Sequence, residues 1–78
     1  MTRGVHRDEY IKLRQALVAA REAAGLTQAT LAQRLGRSQS FVAKYELGER
    51  RLDVIDYVAV CRVLEIDPSV LIRQLTAD

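Results

Sequence analysis

Gln39, Ser40 and Lys44 lie within one short stretch of this 78-residue chain, with Arg37 just before them and Arg50 and Arg51 just after. A glutamine amide donates and accepts at once, which suits an adenine edge; a lysine ammonium suits the acceptors of guanine or a phosphate. A serine hydroxyl is compatible with any base. The chemistry open to this set is recognition of base edges and phosphates. Catalysis has little to build on. His6 is the only histidine and Cys61 the only cysteine. No pair of nucleophile and base, zinc ligand set or internal disulfide can therefore be assembled, and no phosphate-cradling glycine loop occurs. The expectation is a protein that is not an enzyme and needs no metal and no cofactor. His6 reads as a solvated side chain, and Cys61, on an apolar helical face, as a buried thiol.

Recognition residues must be presented by something rigid, and the apolar residues around them say what. With Gln28 as the first position, Leu31 and Ala32 fall fourth and fifth, Leu35 and Gly36 eighth and ninth, Val42 fifteenth and Tyr45 eighteenth. Two short helices crossing steeply need this arrangement, a helix-turn-helix. Ala32 would sit where the helices approach closely, and Gly36 can take the positive φ that ends the first of them. In such a unit the second helix enters the major groove and its N-terminal residues meet base edges. If Val42 and Tyr45 turn to the core, the outer face carries Gln39, Ser40, Ala43 and Lys44, with Phe41 at its border. Ala43 is either a thymine-methyl contact or a plain surface helix former; Phe41 is either a contact to a thymine methyl or sugar or simply core. Phosphate contacts are expected from flanking positions, where they set register without reading sequence. These are Gln28 at the start of the first helix of the pair, Arg37 and Ser38 in the turn and at the next helix start, and Arg50 and Arg51 in the following loop.

The remaining punctuation predicts five helices and no strand. Residues 1–7 read as a flexible N-terminal arm, followed by one helix-turn-helix domain over 8–78. A first helix is expected from Asp8 to Ala24, with Tyr10, Leu13, Leu17, Ala20 and Ala24 on its buried face and Gly25 as its stop. Thr27 caps the helix 28–35 and Ser38 the helix 39–47, which Gly48 ends. Asp53 can cap a fourth helix to Leu64 with Val54, Tyr57, Val58, Cys61 and Leu64 inward. Asp67 followed by Pro68 starts a fifth, since proline at the first helical position loses no hydrogen bond.

Composition agrees with a folded all-α domain: 49% hydrophobic, 28% charged, one proline and four glycines. Apolar runs such as 58–61 are far too short to cross a membrane, and no secretory h-region precedes a cleavage site, so no membrane partner and a cytoplasmic location are expected. Net charge is only +2, which points to no partner by itself. Its distribution says more. From Arg34 to Arg51 cations outnumber carboxylates by three, whereas from Asp53 to Asp67 carboxylates exceed the lone Arg62 by three.

Arg21 lies on the inner side of the first helix and Glu46 beside Tyr45. A charge so close to an apolar face needs a partner, so a partly buried salt bridge between them is expected. The fifth helix offers Val70, Leu71, Ile72 and Leu75, more apolar groups than one short helix can hide. Part of that surface is expected to pair with a second copy in a twofold dimer.

The stretch from Arg21 to Ile72, with LTQATLAQRLG, SQSFVAKYELGER and IDPSVLI, resembles the Cro and lambda-type phage repressor family, often called XRE-like. The resemblance implies a compact five-helix lambda-repressor-like domain. It also implies phosphate binding at Gln28, base contacts from Gln39, Ser40 and Lys44, and a salt bridge between Arg21 and Glu46. This chain departs from the family at Leu47, where many relatives are polar, and at Phe41, which is bulkier than usual. The function expected is a sequence-specific, repressor-like transcriptional regulator that binds double-stranded DNA as a homodimer on a palindromic operator. The competing expectation is a helical module of the same fold that binds a protein, such as an antitoxin holding a toxin.

Overall fold

A computed structural model describes the backbone of residues 3–77 and the side chains of residues 8–77. Five helices follow one another: α1 (Arg3–Ala23), α2 (Gln28–Leu35), α3 (Gln39–Leu47), α4 (Val54–Leu64) and α5 (Pro68–Thr76). Each of the last four begins at a polar cap whose side chain accepts a backbone N–H. Thr27 takes that of Thr30, Ser38 that of Phe41, Asp53 that of Asp56 and Asp67 that of Ser69. These caps satisfy donors that a helix start leaves without partners. Pro68 occupies the first turn of α5.

The core gathers one face from every helix: Leu17 from α1, Leu31 and Ala32 from α2, Phe41, Val42 and Tyr45 from α3, Tyr57, Val60, Cys61 and Leu64 from α4, and Leu71 from α5. Helix α2 packs chiefly on α3, and α1 runs beneath α3, α4 and α5. Helix α3 is therefore held from behind on two sides.

Four features depart from the sequence expectation. Helix α1 starts at Arg3, so the helical backbone takes in residues assigned to the arm; Met1 and Thr2 lie outside the described residues. Extending an existing helix adds a hydrogen bond for each residue ordered, which offsets the cost of about 1 kcal/mol for Gly4. At the other end α1 closes at Ala23 and Ala24 is exposed, because the chain already turns at Gly25, which has φ 74°. In α4 the buried face is set by Tyr57, Val60, Cys61 and Leu64, spaced by three, four and seven. That phase leaves Val54 73% exposed and brings in Val60. In α5, Leu71 belongs to the core instead of a free apolar surface, while Val70 and Leu75 are half-buried and Ile72 is exposed.

Candidate nucleic-acid interface

The turn between α2 and α3 is built on Gly36, the C-cap of α2, whose left-handed φ of 70° lets its N–H reach the Ala32 and Gln33 carbonyls. The Arg37 N–H also bonds the Ala32 carbonyl, and Ser38 then caps α3. An added Cβ at Gly36 would meet no atom, so the need for glycine is conformational, not steric. Gly48 repeats the device at the end of α3, with φ 83°.

Between these stops α3 divides cleanly. Val42 and Tyr45 are fully buried and Phe41 and Glu46 nearly so. Gln39, Ser40 and Lys44 are exposed and Ala43 is half-buried. The three polar side chains share the face turned away from Val42 and Tyr45, and their hydrogen-bonding groups are open to a ligand. Ser38 uses its hydroxyl oxygen as an acceptor for the Phe41 N–H, which leaves the hydroxyl proton to donate.

Phe41 does not join that face. Only 6% exposed, it packs edge-on against Tyr45 at 5.7 Å between ring centres and is covered by the Arg37 guanidinium 3.9 Å above its ring. Of the two roles open to Phe41, contact to a thymine methyl or sugar and core, its burial fits the core, and it does not fit the base contact. Arg37 in turn donates from Nη1 to Asp56 Oδ1 at 2.9 Å. Arg50 leans over the same ring at 4.9 Å, with its Nη2 3.9 Å from Asp56 Oδ2. Asp56 was not among the sequence candidates; its place opposite the turn is a property of how α4 packs, which no local spacing reports.

Behind α3 an ion pair anchors the helix. Arg21 donates from Nε to Glu46 Oε2 at 2.7 Å and from Nη2 to Oε1 at 3.1 Å, and its Nη1 reaches the Leu26 carbonyl at 2.8 Å. The bond to Glu46 raises the Arg21 guanidinium above its ordinary value, against the opposing effect of burial. Gln28 completes the cluster by donating from Nε2 to Glu46 Oε1 at 2.8 Å. Half its amide is thus committed inward, and its carbonyl oxygen and the α2 N-terminus remain for other partners.

The loop after α3 is tied to α1. The Tyr10 hydroxyl donates to the Arg50 carbonyl at 2.9 Å, Arg51 lies 5.2 Å from the Tyr10 ring, and Arg14 donates to the Glu46 carbonyl at 2.7 Å. Tyr10, Arg14, Leu47, Gly48 and Arg51 line a polar depression there. Tyr10 reads in the sequence only as part of the buried face of α1, and no local spacing ties it or Arg14 to the loop after α3. Elsewhere burial pushes the Cys61 thiol above its ordinary value and leaves it unexposed. Among the described residues no group of His, Cys, Asp or Glu could hold a metal ion, and no helix is long and apolar enough to cross a membrane.

Two comparisons meet this geometry. Residues 12–74 match the family described as a helix-turn-helix domain. A solved structure of an XRE-family like protein from Pseudomonas syringae pv. tomato str. DC3000 superposes with a TM-score of 0.92 at 49% sequence identity, covering 96% of this chain and 92% of that one. The chain belongs to the XRE-like helix-turn-helix family. No curated protein matches it. Within the XRE-like frame α2 and α3 are the helix-turn-helix pair, α1 and α4 its supports, and the chain is a DNA-binding regulator in the general sense of that family.

Proposed function

We propose that the protein is a sequence-specific transcriptional regulator that binds double-stranded DNA as a homodimer and acts as a repressor on a palindromic operator. One observation carries the reading: Gln39, Ser40 and Lys44 stand free on the solvent face of α3 while Val42 and Tyr45 lock its other face. In this reading α3 lies in the major groove, Gln39, Ser40 and Lys44 meet base edges, and Ala43 approaches a thymine methyl. Gln28, Ser38, Arg50 and Arg51 contact phosphates on either side, joined by Arg37 when its bond to Asp56 opens.

The dimer is supported by apolar side chains left in water. Ile72 is 45% exposed on α5 beside half-buried Val70 and Leu75, and Ile55 on α4 is 76% exposed. Single exposed apolar groups are ordinary; several on neighbouring helices of so small a domain favour a partner surface. A twofold axis would set two α3 helices about 34–36 Å apart, one turn of DNA.

Titrating labelled duplex DNA with the protein over a salt series tests this reading. Affinity is expected to fall steeply with salt, as counterions are released from the phosphates that the cations neutralise. Binding to no duplex at low salt would refute it, and sedimentation of the DNA complex as one protein chain per site would refute the dimer.

A further inference from the structure

Two of the cations around α3 are not free. Arg37, in the turn before the helix, and Arg50, in the loop after it, converge on one carboxylate, Asp56 of α4, at 2.9 and 3.9 Å. Both guanidiniums also lie over one ring, that of Phe41, at 3.9 and 4.9 Å from its centre. The Asp56 side chain is only 17% exposed, whereas those of Arg37 and Arg50 are 38% and 49% exposed. The acid is thus shielded, and it sits in the first turn of α4, where the helix dipole favours its charge. The cations are the part of the cluster that solvent, or a ligand, can reach.

Resting on the DNA-binding reading above, we propose that Asp56 is a specificity-determining residue: it holds Arg37 and Arg50 against Phe41 and thereby withholds their charge from indiscriminate binding to phosphate. A phosphate that approaches Arg37 competes with a carboxylate oxygen already hydrogen-bonded to it, and one that approaches Arg50 competes with the same carboxylate's charge 3.9 Å away, so either contact returns less net energy than contact to a free guanidinium would. Among the described residues, Gln39, Ser40 and Lys44 have no such partner to give up. The restraint therefore falls on contact to the DNA backbone, which every sequence offers, and spares contact to base edges. Arg50, the looser and more exposed of the pair, is the first to exchange; Arg37, bonded directly and stacked closest, is held more firmly. The arrangement also reduces the basic field of the 34–51 segment, since the Asp56 carboxylate from α4 lies within it.

The test compares wild-type protein with Asp56→Asn on a random-sequence duplex over a sodium chloride series, with circular dichroism to confirm the fold. Freed arginines are expected to steepen the slope of log affinity against log salt by about 1–2, at about 0.9 for each added phosphate contact, and to raise low-salt affinity about tenfold. The ratio of affinities for a selected site and a random duplex falls accordingly. In an Arg37→Ala/Arg50→Ala background, Asp56→Asn is expected to leave the slope unchanged. A folded Asp56→Asn protein with an unaltered or shallower slope overturns the proposal. So does equal steepening in the double-alanine background, which would mean a general field effect. Should Asp56→Asn fail to fold, Asp56→Ser, which keeps a residue suited to a helix start, is read in the same way. A wild-type protein that binds no duplex would defeat the DNA-binding reading itself, a result distinct from normal binding with an unresponsive Asp56.

Discussion

Arg21 on α1 and Glu46 at the end of the recognition helix face each other through two hydrogen bonds, at 2.7 and 3.1 Å, with side chains only 11% and 6% exposed. The pair fixes the depth and rotation of α3 against α1, and Gln28 ties the start of α2 to the same carboxylate. Removing one partner strands the other charge beside the core. Arg21→Ala is expected to cost about 3 kcal/mol in urea unfolding, with the midpoint falling and the denaturant slope unchanged. A loss below about 0.5 kcal/mol, the range of ordinary surface changes, would show that the pair is not structural.

The boundaries of α2 to α5 were legible in the sequence because they depend on local chemistry, and the Arg21–Glu46 pair because each charge lies beside an apolar face and needs a partner. Thr27, Ser38, Asp53 and Asp67 each cap the helix they precede, and Gly36 and Gly48 end theirs in the left-handed region. What was not legible depends on rotation about a helix axis. Val54 and Leu71 are each apolar and each near a helix start, yet one is in water and the other in the core, because the phase of each helix is set by its neighbours. Phe41 and Arg37 show the same limit in the site. A phenylalanine bordering a polar face and an arginine in a turn look available to DNA until α4 brings Asp56 beneath them.

Glu65 closes α4 with φ 59° and ψ 42°, the one non-glycine residue in the left-handed region among those described. An L side chain there costs about 1–2 kcal/mol, part of which glycine returns to the unfolded chain as entropy. Glu65→Gly is expected to raise stability by about 0.5–1 kcal/mol, read as a higher thermal midpoint. No gain would mean that the Glu65 side chain contributes as much as the strain it bears.

Burial pushes the Tyr45 and Tyr57 hydroxyls and the Cys61 thiol above their ordinary values of 10.0, 10.0 and 9.0. The folded protein then keeps protons that the unfolded chain releases, so the stability tied to these groups is complete below pH 9 and declines as pH rises through and beyond the ordinary values. Urea midpoints between pH 8 and 11 should fall, and Tyr45→Phe should flatten part of that fall, since the buried Tyr45 hydroxyl has no hydrogen-bond partner among the described residues. A midpoint that stays level to pH 11 would contradict this.

Lys44 and Arg51 differ in what they can see. On the outer face of α3, Lys44→Ala is expected to change which base is preferred at one position of the site. In the loop, Arg51→Ala should weaken all sequences alike and make the salt slope shallower by about 1. Competition binding against single-base variants of one duplex separates the two, and a uniform loss from Lys44→Ala would move that residue to the phosphate group.

Selection of duplexes from a random DNA pool tests most directly the claim that the exposed face of α3 reads sequence. Recovery of an inverted repeat with half-sites one helical turn apart, altered at a fixed position when Lys44→Ala is used, is the predicted result. Enrichment of no sequence by a protein that still binds DNA would contradict it.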